Sequence, residues 1–458
     1  MKKIIATLLL VVMILSTACA SAPELLPFID EKPTGTGLAG QTLKVHLNFG
    51  TYKDDSPYRD ALIEHVENIA TKLNGNIELR YDREDSTERE IDVPFEIAAG
   101  TYQYDVYVAG ADTNIVKSKI FLPITEFYDY IDYRDSEKYG TLEYLEGIMY
   151  DGVLYGVSPQ QWPGIDAVEL FTNVYNRDLF KENNLTDLHE YYEQGIWTWD
   201  TFENEYLAKV QIDANSEIPY YAFQTDQPDY FQSVFYANDC SFVERLDDGT
   251  VVPSIGNAAF VEAITWGQHI IREYGDITLF DSDTYANEEY VRGEIFCGWL
   301  PSNQVITGNI AYEANFDSGV MPLPCGPNAT YGEWSQIIQG CFGCFIPVTT
   351  SDMEGSAMII SELCEPLPGY EDPAIFYDMT FENQTDLEIF MKLSENCRYD
   401  YARVGDNKLG RSIAESFGKT LTKPDRSVTA DIETYRRMMT TLAEDWIIPN
   451  YNMVHGEE

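Results

Sequence analysis

Two apolar runs, Val153 to Val157 and Val168 to Val174, are separated by a segment that can belong to neither helix interior nor central strand. Pro159 and Pro163 flank Trp162 there; each proline removes a backbone donor and fixes its own φ. Before the first run, Tyr150-Asp151-Gly152 supplies residues that accept the backbone angles of a tight reversal. After the second run, Tyr175-Asn176-Arg177-Asp178 leads into a helix-like Leu179-Phe180-Lys181. Two strands joined by a proline-pinned, tryptophan-bearing connector predict a crossing between two lobes. A chain of 458 residues is also too long for one core of ordinary size and fits two.

The residues before this crossing read as strand, helix, strand. Leu43, Val45, Leu47 and Phe49 alternate. Tyr58, Leu62, Val66, Ile69 and Leu73 recur at helical spacing behind Pro57, and Ile77, Leu79 and Tyr81 alternate again. A third strand, Asp105 to Val108, ends at Gly110-Ala111-Asp112. This order with short loops is that of an α/β lobe with a mainly parallel sheet. In such sheets ligands lie beyond the carboxyl ends of the strands, which nominates Asn48 to Asp54 and Gly110 to Asn114. Beyond the crossing, Trp199, Phe202, Tyr206, Leu207 and Val210 form a helical face capped by Thr198; further helices are expected over 258–274, 353–363, 386–397 and 430–446.

The amino terminus reads as a targeting segment. Lys2-Lys3 precede an apolar stretch from Ile4 to Leu15 that is too short to span a membrane and suits a signal peptide over 1–18. Leu15-Ser16-Thr17-Ala18-Cys19 has the form of a lipobox with Ser16 where leucine is usual, making Cys19 the lipid-modified first residue; cleavage at Ala18-Cys19-Ala20 is the competing reading. Residues 19–40, rich in proline and glycine, form a tether.

A formal charge of −46 repels nucleic acid and anionic lipid surfaces and excludes both as partners. Catalytic and metal chemistry find little support. Cys341-Phe-Gly-Cys344 has redox spacing, but the following Phe345-Ile346-Pro347 is strand-like rather than the helix such chemistry needs. Asp281 and Asp283 open like a calcium loop, yet Arg292 stands where the closing glutamate belongs. The five histidines show no ligand spacing, and no GxSxG or phosphate-cradling loop is present. No cofactor, metal or reaction is expected.

Several segments together resemble the family 1 extracellular solute-binding proteins, the receptors of ATP-binding-cassette importers. These are YDGVLYGVS at 150–158, VYNRDLFKENNL at 174–185, WTWDTF at 197–202, Tyr290 to Trp299, Phe316 to Pro324 and Gly340 to Pro347, which extend the resemblance over roughly 43–365. It implies a two-lobed periplasmic-binding fold of type II. Residues 41–158 plus 338–375 would form one lobe and 159–337 plus 376–458 the other, joined by hinge crossings near 157–163 and 340–347. It further implies a monomeric, lipid-anchored receptor outside the cytoplasm that passes a sugar or oligosaccharide to permease subunits. Trp299 matches the family position whose indole stacks on sugar; Trp162, Asp112, Tyr52 and Trp334 are the other candidate ligand contacts, through ring stacking or hydroxyl bonding. A secreted polysaccharide-active enzyme and a surface adhesion protein that kept the fold are the alternatives.

Overall fold

The computed structural model of the chain describes residues 37–48, 58–81, 86–110, 116–145, 148–163, 171–213, 215–246, 250–280, 287–301, 314–334, 342–372, 375, 381, 383–395, 407–423, 426–442, 444–445 and 448–450. Its two principal sheets use ten strands: β1 Thr42–Asn48, β2 Asn76–Tyr81, β3 Val106–Gly110, β4 Gly156–Val157, β5 Phe171–Asn176, β6 Tyr221–Thr225, β7 Thr278–Phe280, β8 Ile295–Pro301, β9 Ser318–Met321 and β10 Phe342–Phe345. The helices used below are α1 Tyr58–Lys72, α2 Gln227–Ala237, α3 Ala258–Tyr274, α4 Met353–Leu363, α5 Gln384–Glu395, α6 Asn407–Leu421 and α7 Val428–Leu442.

The first sheet has the order β2-β1-β3-β10-β4, the second β7-β6-β8-β5-β9. In each, three strands pair in parallel and the fourth position is filled by a strand running the opposite way. The fifth pairs antiparallel with the fourth and so runs with the first three. Four of five strands therefore share one direction in both lobes, and the reversed one is a strand next to a crossing.

Strand β1 shows why the centre of the first sheet is stable. Leu43, Val45 and Leu47 are buried on one face and His46 on the other, so both faces are covered, as parallel sheets require. The imidazole Nδ1 of His46 lies 2.7 Å from the Tyr102 hydroxyl, which satisfies its buried polarity. Leu62, Val66 and Ile69 form the inward stripe of α1. At the amino end of the sheet the Asp105 carboxylate accepts from the amides of Lys44 and Ser351, both at 2.8 Å. It thereby ties β1 to the segment that leads from β10 into α4.

The run Val153 to Val157 is not one strand. Val153–Leu154 folds back on Met149–Tyr150 around Asp151 and Gly152, whose φ values of 53° and 71° give the paired left-handed turn that hairpins favour. Gly156–Val157 then joins β10. Glycine is needed at 156 because a β-carbon there would approach the Phe345 ring to 2.8 Å. The helical face expected from Trp199 to Val210 is likewise interrupted: a single turn at Trp199–Thr201, capped by Thr198, passes into a wide π-type turn over Phe202–Leu207.

The carboxy-terminal helices lie mostly on the second lobe. Helix α6 packs along α2, and Phe417 meets Phe231 and Phe260. Helix α5 is fixed to β9 and β5 through Asp386, which accepts from the Val320 amide and two bonds from the Arg177 guanidinium at 2.7 and 2.9 Å. Near the end of the chain Asn450 returns to the hairpin of the first lobe, donating to the Met149 carbonyl and accepting from the Gly152 amide. Among the described residues, no helix is long and apolar enough to cross a membrane.

Candidate functional site

The strand registers fix where the two lobes meet. Strand β10 enters the first sheet with Phe342 opposite Gly110, the carboxyl end of β3. Strand β4 leaves it at Val157, opposite Cys344 on the same β10 and at that same end. In the second sheet, β5 enters with Phe171 opposite Pro301, the carboxyl end of β8, and β9 leaves with Met321 opposite Asn173. Both crossings thus connect the carboxyl ends of one sheet's parallel strands to those of the other. Open α/β sheets hold ligands beyond such strand ends.

On the first lobe the described rim is Asn48, Gly110 and Phe342, the last held by its amide to the Tyr144 hydroxyl at 3.1 Å. Asn48 is buried and donates through Nδ2 to the Tyr107 hydroxyl at 3.2 Å. On the second lobe the rim is Phe171, Thr225, Pro301 and Met321. Helix α2 begins at this rim, with Asp226 as its cap, accepting from the Asp229 amide at 2.6 Å, and Pro228 in its first turn. Sequence reasoning did not single out this cap, although Thr-Asp-Gln-Pro directly after an apolar run is a strand-to-helix signal.

Tyr52 and Asp112 belong to the segments that follow β1 and β3; both lie outside the described residues, as do Cys19, Cys341 and the Asp281–Asp283 turn. The three candidate tryptophans are described, and they occupy three separate packing environments. Trp162 is 1% exposed and donates its indole N–H to the Leu363 carbonyl at the end of α4, at 2.6 Å. Trp334 is 4% exposed, donates to the Leu323 carbonyl at 3.0 Å and meets the Tyr331 ring. Trp299 is fully buried under the helices of the second lobe, its ring centroid 4.8 Å from Phe223, 5.0 Å from Phe202 and 5.9 Å from Tyr230. Neighbouring side chains cover its indole in this conformation.

The described cysteines are packed as small apolar groups. Cys240, Cys297, Cys325, Cys344 and Cys364 are all buried thiols. Burial pushes the Cys240 thiol up to about 12 and Cys325 up to about 11, and Cys344 lies within strand β10 beside Cys364. None of these is the activated thiolate that redox catalysis needs. Among the described residues, no group of three or more His, Cys, Asp and Glu side chains is arranged to hold a metal ion.

Residues 68–366 match the family model described as bacterial extracellular solute-binding protein, well over half of the chain. The chain belongs to the bacterial extracellular solute-binding proteins. Solved structures agree with the architecture. The GacH receptor of Streptomyces glaucescens, solved unliganded and with acarbose, superposes with a TM-score of 0.63 at 11% identity, over 88% of this chain and 99% of that one. The sugar-binding protein MalE of Xanthomonas citri gives 0.61 at 15%, over 89% and 99%. UgpB of Mycobacterium tuberculosis, in complex with glycerophosphocholine, gives 0.61 at 16%, over 88% and 99%. At these identities the likeness is one of fold. No curated protein matches significantly. For this solute-binding protein the family places the molecule outside the cytoplasm, and its fold is the two-lobed one expected from a crossing near 157–163.

Proposed function

We propose that this solute-binding protein captures a carbohydrate in the crevice between its lobes and delivers it to the permease subunits of an ATP-binding-cassette importer. The observation that carries the reading is the pair of crossings that join the carboxyl ends of both sheets, which lets the lobes rotate about a short connection and close on a ligand. Neighbours of the same fold that are solved with saccharides or named for sugar binding support a sugar over other solutes. Tyr52 and Asp112 are the proposed contacts, since their segments continue directly from β1 and β3 at the crevice. An aromatic ring stacks on the apolar face of a pyranose and a carboxylate accepts its hydroxyl protons. Trp162 and Trp334 are proposed to hold the segments next to the crossings in register. Residues 41–158 plus 338–375 and 159–337 plus 376–458 are the proposed lobes, and a lipid on Cys19 with the 19–40 tether is the proposed anchor of a monomer.

The test is a thermal-shift screen of the protein against mono- and oligosaccharides, amino acids, peptides and polyamines, followed by calorimetry. A saccharide at one hundred times its dissociation constant stabilises by about 2.7 kcal/mol. Asp112→Ala and Tyr52→Ala are expected to weaken that saccharide roughly tenfold or more, each losing on the order of 1.4 kcal/mol or above, without changing the melting temperature of the free protein. Silence of every saccharide with the protein folded would sink the reading.

A further inference from the structure

A second concave site lies elsewhere on the same lobe. A cavity of about 1090 Å³ is lined by the Thr198–Glu203 turn, the stretch from Gly256 to His269 that opens and carries most of α3, and the Cys325–Pro327 segment. None of its lining residues comes from the strand ends that border the crevice. Its wall carries two indoles, Trp199 and Trp266, stacked with centroids 4.2 Å apart and planes 6° from parallel. Trp266 is half-buried, whereas Trp199 is 4% exposed, and its Nε1–H has no hydrogen-bond partner among the described residues.

The charge of the wall is mainly negative. Among the described residues, Asp200, Glu203 and Glu262 line it with His269, and Arg436 lies against Gly256 at its edge, bound to the Ile255 carbonyl at 3.0 Å. Each carboxylate is braced by one neighbour. His269 Nε2 meets Glu203 Oε1 at 2.7 Å, Asn204 donates to Asp200 at 2.9 Å, and Asn328 bonds Glu262. The half-buried Trp266 ring, stacked on Trp199 behind it, and the surrounding carboxylates form an environment that attracts an organic cation through the ring quadrupole and the local field, and tryptophan is the strongest such ring.

We propose that this cavity is a second binding site, separate from the crevice, for a small quaternary ammonium compound. The ammonium lies against Trp266 within the field of Asp200, Glu203 and Glu262.

Choline is the probe, with 3,3-dimethyl-1-butanol as its uncharged isostere, read by calorimetry and saturation-transfer NMR on the full chain. Choline is expected to bind, with the isostere roughly tenfold weaker and Trp266→Ala weakening choline roughly tenfold. Glu203→Gln is a second variant that leaves the indole pair in place, and it is expected to weaken choline by a smaller factor. Equal binding of the isostere would overturn the cation assignment. Absence of choline binding at high millimolar concentration would overturn the site. So would unchanged binding in Glu203→Gln and in a Trp266→Ala protein whose circular dichroism is native, or displacement of choline by a saccharide that occupies the crevice.

Discussion

The indole N–H of Trp162 donates to the Leu363 carbonyl across 201 positions of sequence, and the same carbonyl lies 3.4 Å from the imidazole Nε2 of His65. His65 also reaches the Glu362 carbonyl at 3.1 Å. The last carbonyls of α4 therefore receive additional bonds from α1 and from the first crossing segment. Replacing Trp162 with Phe keeps most of the ring and removes the donor. The expected loss is about 1–3 kcal/mol, read as a lower urea midpoint with unchanged slope.

His65 gives this junction a pH dependence. Burial lowers its pKa below the ordinary 6.5, against the opposing influence of the two carbonyls. A base whose folded pKa is depressed binds fewer protons folded than unfolded. Its contribution is complete above the unfolded value near 6.5 and declines as pH falls below it. The melting temperature is expected to drop between pH 7 and pH 5 more steeply in the native protein than in His65→Gln, as checked by calorimetry at matched ionic strength.

Asp386 holds α5 to the second sheet. Burial alone would raise its carboxyl, but the bonds from His189 and Arg177 outweigh this and hold it below the usual range. Its stabilising contribution is present above the unfolded carboxylate value and is lost as pH falls through the lower folded one. Asp386→Ala leaves the Arg177 guanidinium, with 10% of its side chain exposed, without this partner. The expected cost is about 3–5 kcal/mol, measured by denaturant unfolding.

Trp299→Ala is expected to cost about 3–5 kcal/mol by opening a cavity between β8 and the helices. Because the ring is fully buried, the change should appear in the melting temperature of the ligand-free protein. A selective loss of saccharide affinity with unchanged stability would contradict the packing seen here.

The five described thiols should be silent toward a water-soluble alkylating reagent in the native state, since all are buried, and should react when guanidinium unfolds the chain. Peptide mapping after labelling reads each position separately. Native labelling of Cys297, whose Sγ donates to Asn173 Oδ1 at 2.6 Å, would contradict its placement.

Regular elements were the most legible part of the sequence. Ala258–Tyr274 and Met353–Leu363 are helices with the bounds that their apolar spacing predicts, and β1 and α1 follow theirs closely. Single residues were harder. Strand β8 is apolar at successive positions because both sheet faces are covered, so Ile295 to Trp299 carries no alternation from which to read the direction of the indole. The family motif points Trp299 at a ligand, and in the structure its ring lies against Phe202 and Phe223. Trp199 and Trp266, 67 positions apart in sequence, gave no sign of their stacking, since α3 and the turn at Thr198 meet only through tertiary packing.

The placement of β10 also bears on how the chain is made. Phe342–Phe345 sits between β3 and β4, inside the first sheet, so that sheet cannot close until residue 345 has been synthesised and exported. All strands of the second sheet fall between Phe171 and Met321, and that sheet can close earlier. The lobe that starts first is thus the one that finishes last, and its early strands must wait with exposed edges while the later lobe takes shape.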